Sequence, residues 1–366
     1  MKKRGKRLKE VKAEQARKKR RAKRRKRALV LTIELLIFMT LLGIGYVLSK
    51  FGKIQTHIFT DGAIVINDGV AQEGYTTIAL FGGDSREGEL EAGTHADTMI
   101  IASIDNKTKE VKLVSVYRDS LTMQKDGEIR KANSAYFIGG PEDAINMLNR
   151  NFDLDIQDYV TVDFKALADT IDLLGGIELE VSEQEAVEMN RHIGETADVA
   201  GKQGNIVSAG KQKMDGVQAV TYARIRENVG DDYARTDRQR IVIQKVVEKA
   251  KSTDLTTIND IIDKVFPQVS TSFTLKEILK LASAVTQYKI GKTSGFPFEL
   301  TDGKVTGIGS VVIPLGVVEN VEELHAFLYP KDKYEVSETV RSIAAEIEYI
   351  SGYTRADYID PNATQE

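Results

Sequence analysis

Hydrophobic and polar positions divide this chain into one long apolar run and, after it, many short ones. Ala28 to Ser49 runs for 22 residues with Glu34 as its only formal charge, long enough to cross a hydrocarbon layer of roughly 30 Å as a helix. Thr76 to Phe81 is β-rich and closed by Gly82 and Gly83, which predicts a buried strand ending in a tight turn. Thr98 to Ile104 and Val111 to Val116 predict two more strands, joined by a hairpin-type turn at Asp105-Asn106-Lys107. Gly139 and Gly140 break the pattern, and Pro141 opens a predicted helix in which Ala144, Met147 and Leu148 share a face. Tyr159 to Val162 predicts a strand. Asp163 then caps a helix whose Phe164, Leu167, Ala168, Ile171 and Leu174 keep helical spacing until Gly175 and Gly176 stop it.

Ile177 to Val181 alternates apolar and acidic residues like a half-exposed strand, and Glu183 to His192 predicts a helix. Gly194 to Gly210 has no periodicity and is expected to be a loop. Ile243, Val246, Val247 and Ala250 form one stripe of a helix expected to begin near Thr236 or Asp237. Leu275 to Tyr288 predicts another helix, Val311 to Ile313 a strand, and Val321 to Leu328 a short helix. Strands and helices interleave, so the expected class is α/β, with helices on both faces of a sheet. No internal repeat is apparent, and Tyr353 to Glu366 is expected to be disordered.

Charge sharpens this division. The formal net charge is only -3 over 366 residues. Residues 1 to 27, however, hold 17 Lys or Arg against Glu10 and Glu14, which leaves 34 basic and 52 acidic residues, or -18, for the rest. A basic flank before an apolar run places that flank in the cytoplasm and the chain beyond the run outside. The run is too long for a signal peptide, and Val47-Leu48-Ser49-Lys50 offers no small-residue cleavage site, so an uncleaved anchor is expected. The chain is thereby divided into a basic cytoplasmic arm (1–27), a transmembrane helix (28–49), a linker and start of the outer domain (50–72), an extracytoplasmic domain (73–352) and a tail (353–366). No aromatic residue is interleaved with the basic ones, which argues against nucleic acid as a partner. With no cysteine, the chain offers neither a disulfide nor a thiolate nucleophile or metal ligand.

Familiar catalytic signatures fail. Gly291-Lys292-Thr293 imitates the end of a P-loop, but Thr286 stands where the first glycine is required. Gly83-Asp84-Ser85-Arg86-Glu87 lacks the closing glycine of a nucleophile elbow. His57, His95, His192 and His325 show no zinc spacing. What remains is Gly82 to Arg86, Asp97-Thr98, Arg118-Asp119 and a dense segment from Arg224 to Gln239. The first three lie at predicted strand ends, where loops of α/β sheets build binding crevices. Arg224 and Arg226, two apart, would point the same way in an extended stretch, and Arg235, Arg238 and Gln239 lead into a helix whose start favours an anion. Arginine's planar fork donates two hydrogen bonds to phosphate and never loses its charge. Carboxylates beside it repel a phosphate unless a divalent cation lies between, so Asp84 and Asp97 imply Mg²⁺ or Mn²⁺ and a metal-bridged pyrophosphate. Asp105, Asp126, Arg130 and Arg191 are assigned to ordinary surface ion pairs.

These residues resemble the LytR-CpsA-Psr family of cell-wall glycopolymer transferases over roughly residues 76–251. Gly82 to Arg86 is similar to the family's G-x-D-x-R turn, His95-Ala96-Asp97-Thr98 to its R-x-D-T, and Ser115-Val116-Tyr117-Arg118-Asp119 to its S-x-P-R-D. Lys131 to Tyr136 with Gly139-Gly140, Leu174 to Ile177, and Gly210 to Tyr222 resemble further family blocks. Ala223-Arg224-Ile225-Arg226, Asp231 to Arg235 and Arg238-Gln239 complete the series. His95 stands where many members have arginine, which puts one phosphate contact in doubt, and Tyr117 where proline is usual, a change expected to alter only the local turn.

The resemblance implies an α-β-α sandwich with a central mixed sheet, a long apolar cavity for a polyprenyl chain and a polar mouth for its pyrophosphate. Asp84, Asp97 and Arg118 would be the catalytic set, with Asp84 and Asp97 holding Mg²⁺ (or Mn²⁺). Arg86, Arg118, Arg224, Arg226, Arg235 and Gln239 would contact phosphate oxygens. The implied activity is a phosphotransferase in the cell membrane of a Gram-positive bacterium. It would move an anionic glycopolymer such as teichoic acid or capsule from undecaprenyl pyrophosphate to peptidoglycan, releasing undecaprenyl phosphate. A lipid-pyrophosphate hydrolase and a non-catalytic, lipid-binding regulator of the envelope are the alternatives.

Overall fold

The computed structural model describes residues 39–41, 43, 45–83 and 90–357. The basic arm, most of the expected span 28–49, Asp84, Arg86 and the chain after residue 357 lie outside the described residues. Residues 45–51 are helical, and among the described residues no helix is long and apolar enough to cross a membrane. Residues 1–53 and 54–366 form separate units.

The second unit begins with β1 (Gln55–Thr56), β2 (Tyr75–Gly83), β3 (Ala96–Asp105) and β4 (Glu110–Val116), after which comes a small hairpin of β5 (Leu121–Met123) and β6 (Ile129–Lys131). Next are α1 (Asn133–Phe152), β7 (Asp158–Asp163), α2 (Phe164–Leu173), β8 (Ile177–Val181), α3 (Glu183–Ala200), β9 (Gly210–Met214), α4 (Gly216–Arg224) and α5 (Asp232–Lys251). The remainder holds α6 (Leu255–Val265), β10 (Val269–Thr271), α7 (Leu275–Ser283), β11 (Lys289–Phe296), β12 (Leu300–Val305), β13 (Gly309–Pro314), α8 (Val317–Leu328) and α9 (Glu338–Ser351).

Seven strands form one mixed sheet in the order β1-β10-β7-β2-β3-β4-β11. Leu80 of β2 faces Ile100 of β3 across an antiparallel pair and Val160 of β7 across a parallel one. Because side chains alternate along a strand, the sheet has two apolar faces. Ala79, Phe81, Met99, Ile101, Val114 and Val116 meet α1, α8 and α9 on one. Ile78, Leu80, Ile100, Ala102 and Leu113 face the opposite way, toward Phe273, Ile278 and Leu281 at one place and Ile243 at another. A separate cluster joins α2, α3, α4, β8 and β9. The architecture is thus the expected α/β fold with a central mixed sheet and helices on both sides.

Several boundaries differ from the sequence expectation. The helix expected from Pro141 begins at Asn133, because Ala135 and Tyr136 bury themselves and the Tyr136 hydroxyl donates to the Leu90 carbonyl at 2.5 Å. Gly139 and Gly140 leave helical angles, so Pro141 opens the second of two segments. The expected loop from Gly194 is instead helical as far as Ala200, since Ile193, Ala197 and Ala200 continue the buried stripe of α3. The fifth helix starts at Asp232 rather than Thr236, because Asp231 caps it. The helix expected to reach Tyr288 stops at Ser283. Within the expected disordered tail, Arg355–Asp357 forms a helical turn in which Asp357 accepts from the Thr354 backbone and hydroxyl.

Candidate functional site

Strand direction alone brings the first site residues together. The end of β2, the start of β3 and the end of β4 share one sheet edge because both pairs are antiparallel, and the end of β7 joins them by running parallel to β2. At that edge Gly82 pairs with Thr98 and Gly83 with Ala96, so Asp97 is the extra residue of a bulge. Bulges re-aim side chains in this way next to functional sites. A Cβ on Gly82 would meet Thr98 at 2.9 Å, so this close approach requires glycine. The Asp97 carboxylate accepts from Arg118 Nη1 at 2.6 Å. Arg118 Nε also lies 3.7 Å from Asp119 and 3.9 Å from Asp232.

The remaining residues arrive from α4, α5 and the loop between them. Arg224 is the last residue of α4 and Arg226 lies in the loop after it, so they converge through a helix end rather than along an extended strand. Arg224 donates to the Thr196 hydroxyl at 3.1 Å and to Glu195 at 3.3 Å, with its guanidinium 4.7 Å from the Phe164 ring centroid. Arg235 and Gln239 sit one turn apart on α5, both buried. Arg235 reaches Asp232 at 2.9 Å and the Asp97 carbonyl at 3.4 Å. The start of this helix does not offer all its donors to an anion, since the Asp231 carboxylate takes the Tyr233 and Ala234 amides at 3.0 and 3.2 Å.

Asp97, Arg118, Arg224, Arg226, Arg235 and Gln239 line one cavity of about 290 Å³, together with Glu195 and Glu227. Asp84 and Arg86 lie outside the described residues. Among the described residues, four guanidinium groups against three carboxylates give the lining a cationic excess, the field that gathers an anion. Burial works against the Arg118 cation, but Asp97 and Asp232 outweigh it and hold its pKa above the ordinary value. Arg235 is lowered by burial, with Asp232 pulling the other way. Gln239 Oε1 and Arg235 Nε are buried without a hydrogen-bond partner. Such groups cost of order 1–3 kcal/mol each if left unpaired, so the cavity is built for a polar occupant. Asp97 supplies the hard oxygen donor that suits Mg²⁺ or Mn²⁺.

Other singled-out residues fall elsewhere. His95 stacks on Phe137, with ring centroids 4.4 Å apart, and is not among the residues lining the cavity. Tyr117 does more than shape a turn. It packs edge-on against Tyr233 at 4.6 Å, in a space that a Cβ on Gly295 would fill, and burial pushes its hydroxyl up to about 12. Arg238 turns inward to the Ile225 and Val229 carbonyls at 2.5 and 3.1 Å and to Glu185 at 3.4 Å. Asp105 pairs with Lys331, Asp126 with Arg130, and Arg191 with Glu188, each an ordinary ion pair.

Sequence reasoning missed Phe164, Thr196 and Asp232 as parts of this site. Phe164 belongs to a helical stripe, Thr196 falls in the expected loop, and Asp232 lies in the Asp231 to Arg235 block without a role assigned to it. It also missed that Glu188, His192 and Glu227 bring their ligand atoms within 4.8 Å of one another beside the cavity. Helical spacing from Glu188 to His192 was the available signal. The buried Glu188 is already engaged by Arg191 at 2.8 Å.

A central mixed sheet whose edge gathers arginines and a bulged aspartate around one cavity defines an α/β protein with an arginine-lined site. The LytR_cpsA_psr family model matches residues 49–320, and the chain belongs to that family. It is 28% identical over 207 residues to the polyisoprenyl-teichoic acid–peptidoglycan teichoic acid transferase TagV of Bacillus subtilis, a match covering 54% of this chain and 51% of that protein. The chain thus spans about half the length of that relative. The fold is similar to that of protein gbs0355 from Streptococcus agalactiae, with a TM-score of 0.61 and 24% identity over 72% of this chain and 90% of that one. It is also similar to that of the family protein YwtF (TagT) with bound octaprenyl pyrophosphate lipid, with a TM-score of 0.55 and 19% identity over 74% of this chain and 99% of that one.

Proposed function

We propose that this chain is a membrane-anchored phosphotransferase that moves an anionic glycopolymer from a polyprenyl pyrophosphate carrier to peptidoglycan on the outer side of the cell membrane. The observation that carries the reading is the convergence of Asp97, Arg118, Arg224, Arg226, Arg235 and Gln239 on one cavity whose buried donors and acceptors are not all paired. Two relatives support it, one a teichoic acid transferase and the other a protein with octaprenyl pyrophosphate bound.

In this reading Arg118, Arg224 and Arg235 are fixed before substrate arrives, which is what positioning catalysis of phosphoryl transfer requires. Phe164, Thr196 and Glu195 hold Arg224, Asp232 and the Asp97 carbonyl hold Arg235, and Asp97 holds Arg118. The guanidinium groups grip the non-bridging oxygens and neutralise charge as a peptidoglycan sugar hydroxyl attacks the sugar-side phosphorus. Polyprenyl phosphate leaves, and a phosphodiester joins polymer to wall. Asp84 and Asp97 would hold Mg²⁺ or Mn²⁺, which supplies charge neutralisation at the phosphates. Segment 28–49 anchors the chain, and the lipid tail lies against the apolar face of the sheet beneath α5 and α7.

The test incubates the full chain in lipid nanodiscs with lipid-linked oligosaccharide, peptidoglycan and Mg²⁺, and monitors polyprenyl phosphate release and wall-linked product. Arg118→Ala is expected to slow transfer by about 100-fold or more, the usual cost of losing one donor at a developing charge. Release unchanged in both Arg118→Ala and Asp97→Ala would sink the assignment of this cavity. Release without wall-linked product identifies a hydrolase, and tight lipid binding without any release identifies a regulator.

A further inference from the structure

Arg118, Arg224 and Arg235 each have side-chain partners that aim the guanidinium, whereas Arg226 does not. Its side chain lines the arginine cavity, is exposed, and among the described residues takes part in no hydrogen bond or ion pair. Its direction therefore comes from its backbone. That backbone is the loop between α4 and α5, in which Asn228 and Gly230 stand at φ 56° and 103°, left-handed positions that a chain does not adopt by default. Among the described residues no backbone hydrogen bond closes within residues 226–230. A side-chain tether from this stretch, Asn228 Nδ2 to Glu188, is long at 3.4 Å.

The loop is held by Arg238 of α5, which is 4% exposed. Its Nη2 donates to the Ile225 carbonyl at 2.5 Å and its Nη1 to the Val229 carbonyl at 3.1 Å, so the two bonds bracket Arg226, Glu227 and Asn228. Ile225 is the C-cap of α4, where carbonyls lack intrahelical donors and the helix dipole favours a cation. Nη1 also lies 3.4 Å from one oxygen of Glu185, whose other oxygen closes the capping box of α3. A planar fork can serve these acceptors at once, whereas lysine ends in one nitrogen and cannot span both carbonyls with separate atoms.

Stability alone does not account for such a residue. Taking a guanidinium out of water is costly, and apolar residues in place of a buried ion pair are often neutral or stabilising. Arg238 Nε is moreover buried with no hydrogen-bond partner. What the buried charge accomplishes is to fix the loop backbone.

We propose that Arg238 is the positioning residue for Arg226, a buried fork that clamps the carbonyls on either side of it and so presents its guanidinium to the phosphates of the lipid-linked donor. The claim rests on the transfer reading above and goes beyond it, because Arg238 is not among the residues lining the cavity. Helix α5 thus serves the site twice, with Arg235 and Gln239 in the cavity wall and Arg238 holding the loop that precedes the helix.

The test uses the full chain in nanodiscs with two fluorescent probes, a polyprenyl pyrophosphate and the phosphate-free polyprenol. Arg226→Ala and Arg238→Lys are each expected to weaken pyrophosphate binding about tenfold, the loss of one charge-assisted contact. Both should leave polyprenol binding within about twofold of the parent. In the double variant the losses should not add, and pyrophosphate binding should stay within about threefold of Arg226→Ala alone, because the clamp has nothing left to aim. Additive losses, about 100-fold in the double variant, overturn the positioning role and leave the transfer reading standing. Pyrophosphate binding unchanged in either single variant does the same, as does equal weakening of both probes in Arg238→Lys, the mark of a merely structural residue. Should Arg238→Lys fail to fold, NMR order parameters of the Val229 methyl groups in the unaltered chain decide. They are expected to be high without lipid and unchanged by it, and a loop that becomes rigid only when the pyrophosphate lipid binds overturns the proposal. Failure of the unaltered chain to bind that lipid sinks the transfer reading itself.

Discussion

The two faces of the central sheet are finished to different degrees. Against α1, α8 and α9, Phe81, Met99, Ile101 and Val114 are sealed by Tyr136, Leu148, Leu324 and Ile343, all of them at most 2% exposed. On the other face α7 contributes no fully buried residue, and after Val242 no residue of α5 is fully buried either. Ile100, Ala102 and Leu113 of the sheet are at most 4% exposed there, but the helix residues over them, Ile243, Ile278 and Leu281, are only partly buried, and Leu279 stays 48% exposed. A protein that needed only stability would gain by closing that side. The difference teaches that one face supplies the rigidity that aims Asp97 and Arg118, while the other is closed by helices whose own apolar residues stay partly exposed, the side to which the proposed function assigns the lipid tail.

This contrast can be broken by mutation. Phe81→Ala, on the sealed face, is expected to cost about 4 kcal/mol, because transfer and cavity terms add where neighbours cannot collapse. Thermal or denaturant unfolding of the chain measures it. A cost near 1 kcal/mol would mean that the sealed face is softer than its packing indicates.

Elsewhere, α2 and α6 are held together by charge. Asp169 of α2, only 1% exposed, meets Lys202 at 2.7 Å, Lys165 at 3.0 Å and Lys264 of α6 at 3.0 Å. Asp169→Ala should therefore destabilise by about 3 kcal/mol, since it strands cations around a vacated buried site. Burial alone would raise the Asp169 carboxyl, but hydrogen bonds from Lys202, Lys264, Gln268 and Lys165 outweigh it and hold the pKa well below the usual carboxylate range. A carboxyl depressed in the folded state stabilises above its unfolded value, near 3.9, and loses that contribution as pH falls through the folded one. The gap between parent and Asp169→Ala should be full at pH 7 and shrink progressively below about pH 4. A gap that does not change with acidification would remove the charge explanation.

The smallest effect sharpens the comparison most. Leu281→Ala, on the loose face, is expected to cost less than about 1 kcal/mol, because its surroundings already leave it partly exposed. The same change should reduce the polyprenyl lipid that co-purifies with the chain, as read by mass spectrometry. A cost as large as that of Phe81→Ala, with lipid content unaffected, would erase the distinction between the faces.

Much of the site was legible in the sequence, because its chemistry is carried by residue types that are uncommon as local clusters. Arg224, Arg226, Arg235 and Gln239 stood out as a dense segment, and Asp97 and Arg118 as polar residues at the ends of apolar strands. Their neighbours were less visible. Thr196 was hidden because Gly194 interrupts the stripe of α3, while the capping box at Ser182 and Glu185 and the burial of Ile193 and Ala197 carry the helix through. Strands such as β9 were missed because Gly210–Met214 is almost wholly polar and exists only by pairing with β8.

By itself, the sequence determined the element types with clear periodicity, the separation of a basic arm from an acidic domain, and the family. All of these are set by local pattern, composition and motif. The tertiary structure alone decided that Asp97 is the bulged residue, that Asp231 gives its carboxylate to the α5 amides, and that Tyr117 braces Tyr233. Each depends on strand register or on contacts that form only in the folded chain. No local pattern encodes such contacts, because their free energy arises only once the sheet has brought the segments together.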